Sequence, residues 1–269
     1  MSRLLKPLYM KYGPIIEKKR TMNVTMQKRA IIVGATSGIG YEIARLLLKE
    51  GWMLGIAGRR EGLLKAFQRQ SPSRICYRVL DIRKENAESE LEALMAETGG
   101  MDLYVHCSGI GHQNFDLSSD VEVDTAETNV TGFIRAVGVA FRYFIRQGKG
   151  HIAVISSIAG TKGLGIAPAY SATKRFQNTY LDALEQLARM HGKTHVCFTD
   201  IRPGFVKTDL LNDGKHYPLL MHPEKVARHI VRAIHRKQRV VVIDWRYRLL
   251  VLFWRMIPRW LWKRLPIKN

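Results

Sequence analysis

Seven short runs rich in Val, Ile and Leu recur along the chain, at 30–33, 53–57, 75–80, 103–106, 152–156, 195–201 and 240–243. Between them lie segments with helical spacing of apolar residues, at 39–50, 61–69, 84–98, 123–146, 169–191 and 223–236. Strict strand–helix alternation is what a parallel sheet requires, because parallel neighbours need a crossover and cannot be joined by a tight hairpin. No long linker, internal repeat or low-complexity tract interrupts the alternation, so residues 29–244 read as one α/β domain. A chain of 269 residues is long enough to bury roughly three quarters of its unfolded surface without covalent staples. The three cysteines, Cys76, Cys107 and Cys197, are odd in number and lack a C-x-x-C spacing. That argues against a disulfide framework or a zinc site and for a reducing compartment.

The first strand runs directly into Gly34-Ala35-Thr36-Ser37-Gly38-Ile39-Gly40 and then a helix. Gly34 permits a tight turn, Gly38 lets backbone approach a pyrophosphate, and Gly40 lets the helix pack on the strand. The free N–H groups at the helix start hold the anion. The plainer reading is a βα turn that uses glycine for geometry alone. About twenty residues on, where an acid would hold a ribose 2′-hydroxyl, the chain has Gly58-Arg59-Arg60. Two guanidiniums suit a 2′-phosphate, unless they merely open an exposed helix.

Tyr170-Ser171-Ala172-Thr173-Lys174 sets a phenol and an ammonium four residues apart, on one helical face. A lone tyrosine titrates near about pH 10; a neighbouring cation stabilises phenolate and draws it toward the range acid–base chemistry needs. Ser157 lies thirteen residues upstream of Tyr170, at the end of the fifth strand. In an open α/β sheet the strand carboxyl ends form the ligand edge, and that edge collects Gly34, Gly109 and Ser157.

The Gly-x-x-x-Gly-x-Gly turn, Ser157 and Tyr-x-x-x-Lys together resemble the short-chain dehydrogenase/reductase family, in its standard single-domain branch. The resemblance covers about residues 29–243. It implies a doubly wound Rossmann sheet of seven parallel strands with helices on both faces, a homo-oligomer, and hydride transfer between NADP(H) and a small-molecule carbonyl or alcohol. It also implies that Tyr170 gives the proton to the carbonyl oxygen, that Ser157 hydrogen-bonds that oxygen, and that Lys174 binds the nicotinamide ribose. Asn129, in Asn129-Val130-Thr131-Gly132, would hold the water linking Lys174 to solvent. Asp81, followed by Ile82, would accept from the adenine amino group; a helix N-cap is its plainer role. Cys107, Ser108 and Gly109 would line the cofactor, although His106-Cys107-Ser108-Gly109 keeps only the glycine of the family's Asn-Asn-Ala-Gly. Pro203-Gly204-Phe205-Val206-Lys207-Thr208 would pass under the nicotinamide, with Pro203, Gly204, Val206 and Thr208 as cofactor contacts. Ser37 stands where many NADP-using relatives carry a basic residue, so the NADP preference rests mainly on Arg59. The histidines at 191 and 195 are separated by Gly192 and give no metal site.

The formal charge is +20. The excess is concentrated at the ends: residues 1–28 carry seven basic residues against Glu17, and 245–269 carry seven against no acid. Four of the five tryptophans also lie in 245–269, as Trp245, Trp254, Trp260 and Trp262. Trp, Leu and Phe interleaved with Arg and Lys suit an anionic membrane surface. Equally, the segment suits a substrate-pocket wall or a subunit contact. No secretory signal or membrane-spanning stretch is visible, which suggests a cytoplasmic protein, peripheral at the inner membrane face if the tail binds lipid. Met22 and Met26 are alternative starts. A nucleic-acid binder would use the charge, but no RNP, zinc-finger or helix-turn-helix signature accompanies it. A non-catalytic dinucleotide sensor would have lost the Ser157–Tyr170–Lys174 set, which is intact.

Overall fold

The computed structural model describes residues 27–211 and 217–267. All but the last two residues of the basic N-terminal extension lie outside that range. The strands are β1 (Arg29–Val33), β2 (Met53–Gly58), β3 (Ile75–Val79), β4 (Leu103–His106), β5 (Lys149–Ile155), β6 (His195–Arg202) and β7 (Val240–Val242). They form one parallel sheet in the order β3-β2-β1-β4-β5-β6-β7. Strands covered on both faces must be apolar nearly throughout, and Ile31, Ile32, Ile56 and Val105 are fully buried. In register, Ile32 faces Ile56 on one side and Val105 on the other.

Helices cover both faces. On one lie α1 (Gly38–Lys49), α2 (Glu61–Gln68) and α7 (Pro223–His235), which bury Ile43, Leu47, Phe67, Ile230 and Ile234 in a single cluster. On the other lie α3 (Ala87–Glu97), α5 (Phe133–Gln147) and α6 (Pro168–Met190), with Leu91, Leu94, Phe133, Phe144 and Leu181 buried together. Because β1 sits between β2 and β4, the chain crosses to opposite faces after β1 and β4, and a crevice opens there.

Two predicted helices differ. The segment 84–98 becomes helical only at Ala87, because residues 81–87 form turns in which Lys84 N–H bonds the Asp81 carbonyl and Ala87 N–H bonds that of Lys84. Asp81 is therefore not the N-cap of α3. The segment 123–146 is three pieces: α4 (Ser119–Ala126), a π-helical turn (Glu127–Gly132) and α5. A π turn adds one residue without disturbing the apolar rhythm on either side, so periodicity cannot reveal it.

The C-terminal segment forms α8 (Trp245–Met256) and, past Pro258, the short α9 (Arg259–Trp262). It is packed on the domain through a few anchors. Tyr247 and Val251 are buried in the same cluster as α1 and α7. The indole N–H of Trp262 donates to the Gly163 carbonyl at 2.7 Å, and Lys162 Nζ donates to the Ile257 carbonyl at 2.8 Å. Gly204 lies so close to the Tyr247 ring that a Cβ there would sit 2.2 Å from it. The Tyr247 hydroxyl accepts from Phe205 N–H at 3.1 Å and donates toward the Pro218 and Leu219 carbonyls. One phenol thus ties α8 to the loop after β6. Tyr247→Phe should leave those backbone groups without their partner and cost about 1–3 kcal/mol, a drop of roughly 2–4 °C in melting temperature per kcal/mol. Thermal unfolding of the variant checks this; an unchanged Tm would mean that the hydroxyl carries no load.

Candidate active site

The turn after β1 adopts the conformation its glycines permit. Gly34 has φ +89°, and a Cβ at Gly40 would lie 2.1 Å from the Gly34 carbonyl oxygen. Only hydrogen at both positions lets α1 start directly against the strand end. Ser37 flanks α1 without a side-chain capping bond, so the first-turn N–H groups remain for an anion. The turn forms one end of a cavity of about 770 Å³.

That cavity also touches Arg59, Arg60, Asp81, Ile82, Cys107, Ser108, Gly109, Ser157, Tyr170, Lys174, Pro203, Gly204, Val206 and Thr208. Of the residues singled out from sequence, Asn129 alone stands behind the wall. Arg60 reaches back to the turn: it donates to Thr36 Oγ1 at 2.9 Å, to Ser37 Oγ, and to Asp209 Oδ2 at 3.0 Å. Asp81 accepts from the Arg83 backbone N–H and guanidinium, and this hydrogen bonding holds its carboxyl below the usual range. The cradle thus offers basic groups at one end, an acceptor at Asp81, and backbone N–H groups between. It fits a dinucleotide.

At the other end, helix α6 presents Tyr170 and Lys174 on one face. Its start is fixed by Pro168 in the first turn and by Glu122 of α4, whose Oε2 accepts from Ala169 N–H at 2.9 Å. The other Glu122 oxygen accepts from Asn114 Nδ2, tying the loop after β4 to the same point. Ser157 follows β5; its Oγ accepts from Ala159 N–H at 3.1 Å and caps a short 3₁₀ turn. It is both a cap and a wall of the cavity. Lys174 Nζ lies 5.8 Å from the centre of the Tyr170 ring. Burial pushes the Tyr170 phenol up, with the Ser157 hydroxyl opposing, so the expected net fall toward neutrality is absent in this state. Burial also pushes Lys174 down to about 8, against the attraction of Asp200.

Asn129, in the π turn, clamps rather than lines. Its Oδ1 accepts from Ile110 N–H at 2.9 Å, and its Nδ2 donates to the Ile110 carbonyl at 2.7 Å and to Thr173 Oγ1 at 3.1 Å. The Asn129 backbone carbonyl accepts from Gln177 Nε2 at 3.0 Å, and Gln177 Oε1 accepts from Lys174 Nζ at 3.1 Å. Gln177, fully buried, joins Lys174 to the π turn.

Further polar residues that no motif flagged support the site. Asp200 accepts from Ser156 Oγ, from Asn178 Nδ2 at 2.9 Å, and from Arg202 Nε and Nη2 at 2.8 and 2.6 Å, all beneath the ends of β5 and β6. Gln177 and Asn178 had a signal available: they lie three and four residues after Lys174, on the face that already carries the chemistry. Asp200 had none, being one polar residue in an apolar strand. The apolar lining of the cavity includes Leu164, Ile166, Phe205, Leu210, Leu250, Trp254 and Ile267. Three of these, Leu250, Trp254 and Ile267, belong to the C-terminal segment.

Residues 28–217 match the short chain dehydrogenase family. An uncharacterized oxidoreductase of Myxococcus xanthus is 31% identical over 225 residues, covering 81% of this chain and 88% of that protein. The dehydrogenase/reductase SDR family member 7B of Xenopus tropicalis is 28% identical over 255 residues, covering 85% and 81%. Among solved structures, a variant of the actinorhodin polyketide ketoreductase with NADPH superposes with a TM-score of 0.70 at 25% identity, over 81% of this chain and 95% of that one.

Proposed function

From the premise that the chain belongs to the short-chain dehydrogenase/reductase family, oxidoreductases that use a nicotinamide dinucleotide on small molecules, we propose that it is an NADP(H)-linked carbonyl reductase. The observation that carries this is the meeting of Ser157, Tyr170 and Lys174 in one cavity with the glycine turn, Arg59 and Arg60. Arg59 and Arg60 would hold a 2′-phosphate, and no carboxylate stands at those positions to repel it. Arg60 already pairs with Asp209, so binding a phosphate means exchanging one anion for another; Arg59 is the freer contributor. The ketoreductase neighbour holds NADPH, which agrees with this choice.

Bound NADPH supplies the hydride. The residues of the chain handle the oxygen that becomes negative as hydride arrives. Tyr170 donates its phenolic proton to that oxygen and Ser157 donates a hydrogen bond, so charge does not build up in an apolar pocket. The raised phenol keeps Tyr170 protonated at neutral pH, as a donor in the reducing direction must be. The Lys174 ammonium stabilises the phenolate left behind and has a free N–H for a ribose hydroxyl.

The apolar residues that line the cavity suit a lipophilic ketone. Outside it, Trp245, Leu252, Phe253, Met256 and Trp260 are exposed on α8 and α9, interleaved with exposed Arg248, Arg255, Arg259 and Lys263. No helix among the described residues is long and apolar enough to cross a membrane. The outer face of the tail suits the headgroup layer of an anionic membrane, where each basic side chain gains about 1 kcal/mol. The protein is then peripheral on the cytoplasmic leaflet while the inner face of the tail closes the pocket. A homo-oligomer is the expected assembly.

With long-chain ketones as substrates, NADPH should give the higher kcat/KM. Arg59→Asp should reduce it by about ten- to a hundredfold, the scale of one charge-assisted contact, while sparing NADH; equal use of both cofactors by the unaltered protein refutes the assignment. Tyr170→Phe should slow reduction by about 10²–10⁴-fold while NADPH still binds, and near-normal kcat would remove the proton donor from the scheme. For the tail, truncation is the wrong test because Tyr247 belongs to the core. Replacing exposed Trp245, Phe253 and Trp260 by Ser should instead abolish co-sedimentation with phosphatidylserine vesicles at low salt and leave the fold intact. If the unaltered protein ignores such vesicles, the outer face has another occupant.

A further inference from the structure

Lys174 carries a charge into the interior: the residue is 4% exposed. An ammonium has three N–H donors. One goes to the Ile155 carbonyl at 3.1 Å and one to Gln177 Oε1 at 3.1 Å. The third faces the cavity, which Lys174 lines. Gly109 closes over the ammonium, since a Cβ there would lie 3.3 Å from Nζ. Gln177 is fully buried and is itself fixed at its other end, where Nε2 donates to the Asn129 carbonyl in the π turn. Its amide can neither rotate away nor be replaced by solvent without breaking two buried hydrogen bonds.

We propose that Gln177 is the positioning residue of this site, a fixed neutral acceptor that orients the Lys174 ammonium toward the cavity and governs the pH at which it loses its proton. The neutrality of the acceptor matters because of what else faces Lys174. From β6 there is Asp200, which attracts the ammonium but is already engaged by Arg202. From the end of β4 there are His106, pushed down to about 3, and Cys107, pushed up to about 12; both are uncharged at neutral pH. From α6 there is Tyr170, protonated. No anion touches Nζ, so burial prevails and Lys174 is held near 8. A carboxylate at position 177 would reverse that balance and leave an ammonium too stable to respond. An alkyl group would leave one N–H unpaired and destabilise the charge further.

The inference rests on Lys174 serving the proposed reduction, but its test needs neither substrate nor cofactor, so failure of one is distinguishable from failure of the other. Full-length protein labelled with ¹³C at lysine Cε is titrated by NMR, with the Lys174 resonance identified by its loss in Lys174→Arg. Gln177→Glu, nearly isosteric, should raise the Lys174 midpoint by about one pH unit or more, and Gln177→Leu should lower it. Opposite shifts in two variants that retain the native circular dichroism spectrum and thermal unfolding transition are not what a merely space-filling residue produces. Gln177→Asn, which keeps the amide but shortens the reach, should move the midpoint the same way as Leu. If Gln177→Leu does not fold, Gln177→Glu alone decides. A midpoint unchanged in Gln177→Glu overturns the assignment.

Discussion

All seven strands run the same way, so every strand-end loop that carries chemistry emerges at one edge of the sheet. This is a consequence of hydrogen-bond geometry. Parallel strands force each connection to travel back over a face as a helix and to re-enter at the opposite edge. The two faces are thereby sealed with Val, Ile, Leu and Phe, and the backbone polar groups left over are concentrated where β1, β4, β5 and β6 end. The glycine turn, Gly109, Ser157 and Pro203-Gly204 are far apart in sequence and become neighbours there for that reason alone.

An edge of this kind is costly to furnish with charge, and the site meets that cost with fixed partners. Asp200 and Arg202 neutralise one another in a contact that places two guanidinium N–H groups on Asp200 Oδ2, steadied by Ser156 and Asn178. Removing the carboxylate alone would strand a buried guanidinium, the kind of change that costs about 3–5 kcal/mol. His106 and Cys107 are kept uncharged by the same burial that they help create. What remains is one ammonium with two interior acceptors and one open direction. The cavity therefore meets a positive group whose aim is set from behind, by the Ile155 carbonyl and the Gln177 amide.

Fold and candidate site were legible to different depths. Strand positions could be read to within about three residues, the largest miss being the start of β5 at Lys149, because burial on both faces leaves little freedom in residue type. Tyr170, Lys174 and Ser157 were legible because a reacting phenol needs a cation one helical turn away and because strand ends are where such groups must lie. The π turn was not, since its added residue leaves flanking periodicity unchanged. Spacing puts Gln177 on the Lys174 face, but only the third dimension shows that its amide joins that lysine to the π turn. The two readings of the C-terminal segment could not be separated by composition, because a helix with one face on a pocket and one face outward has the same residues under either. Tyr247 was hidden for the opposite reason, being a polar-tipped residue in a run that reads as surface.

Tyr247 has a consequence for how such a scaffold diversifies. The C-terminal segment contributes Leu250, Trp254 and Ile267 to the pocket, so altering it is a direct way to change which molecules are admitted. Yet the same helix holds the loop after β6 by one hydroxyl, against a glycine that leaves the ring no tolerance. Replacement tails grafted onto this domain are therefore constrained in phase: whatever their length or composition, they must bring a phenol to one point two residues into the helix. A tail that misses that register loses the hydrogen bond to Phe205 N–H and the ring contact with Gly204, and loosens the loop after β6.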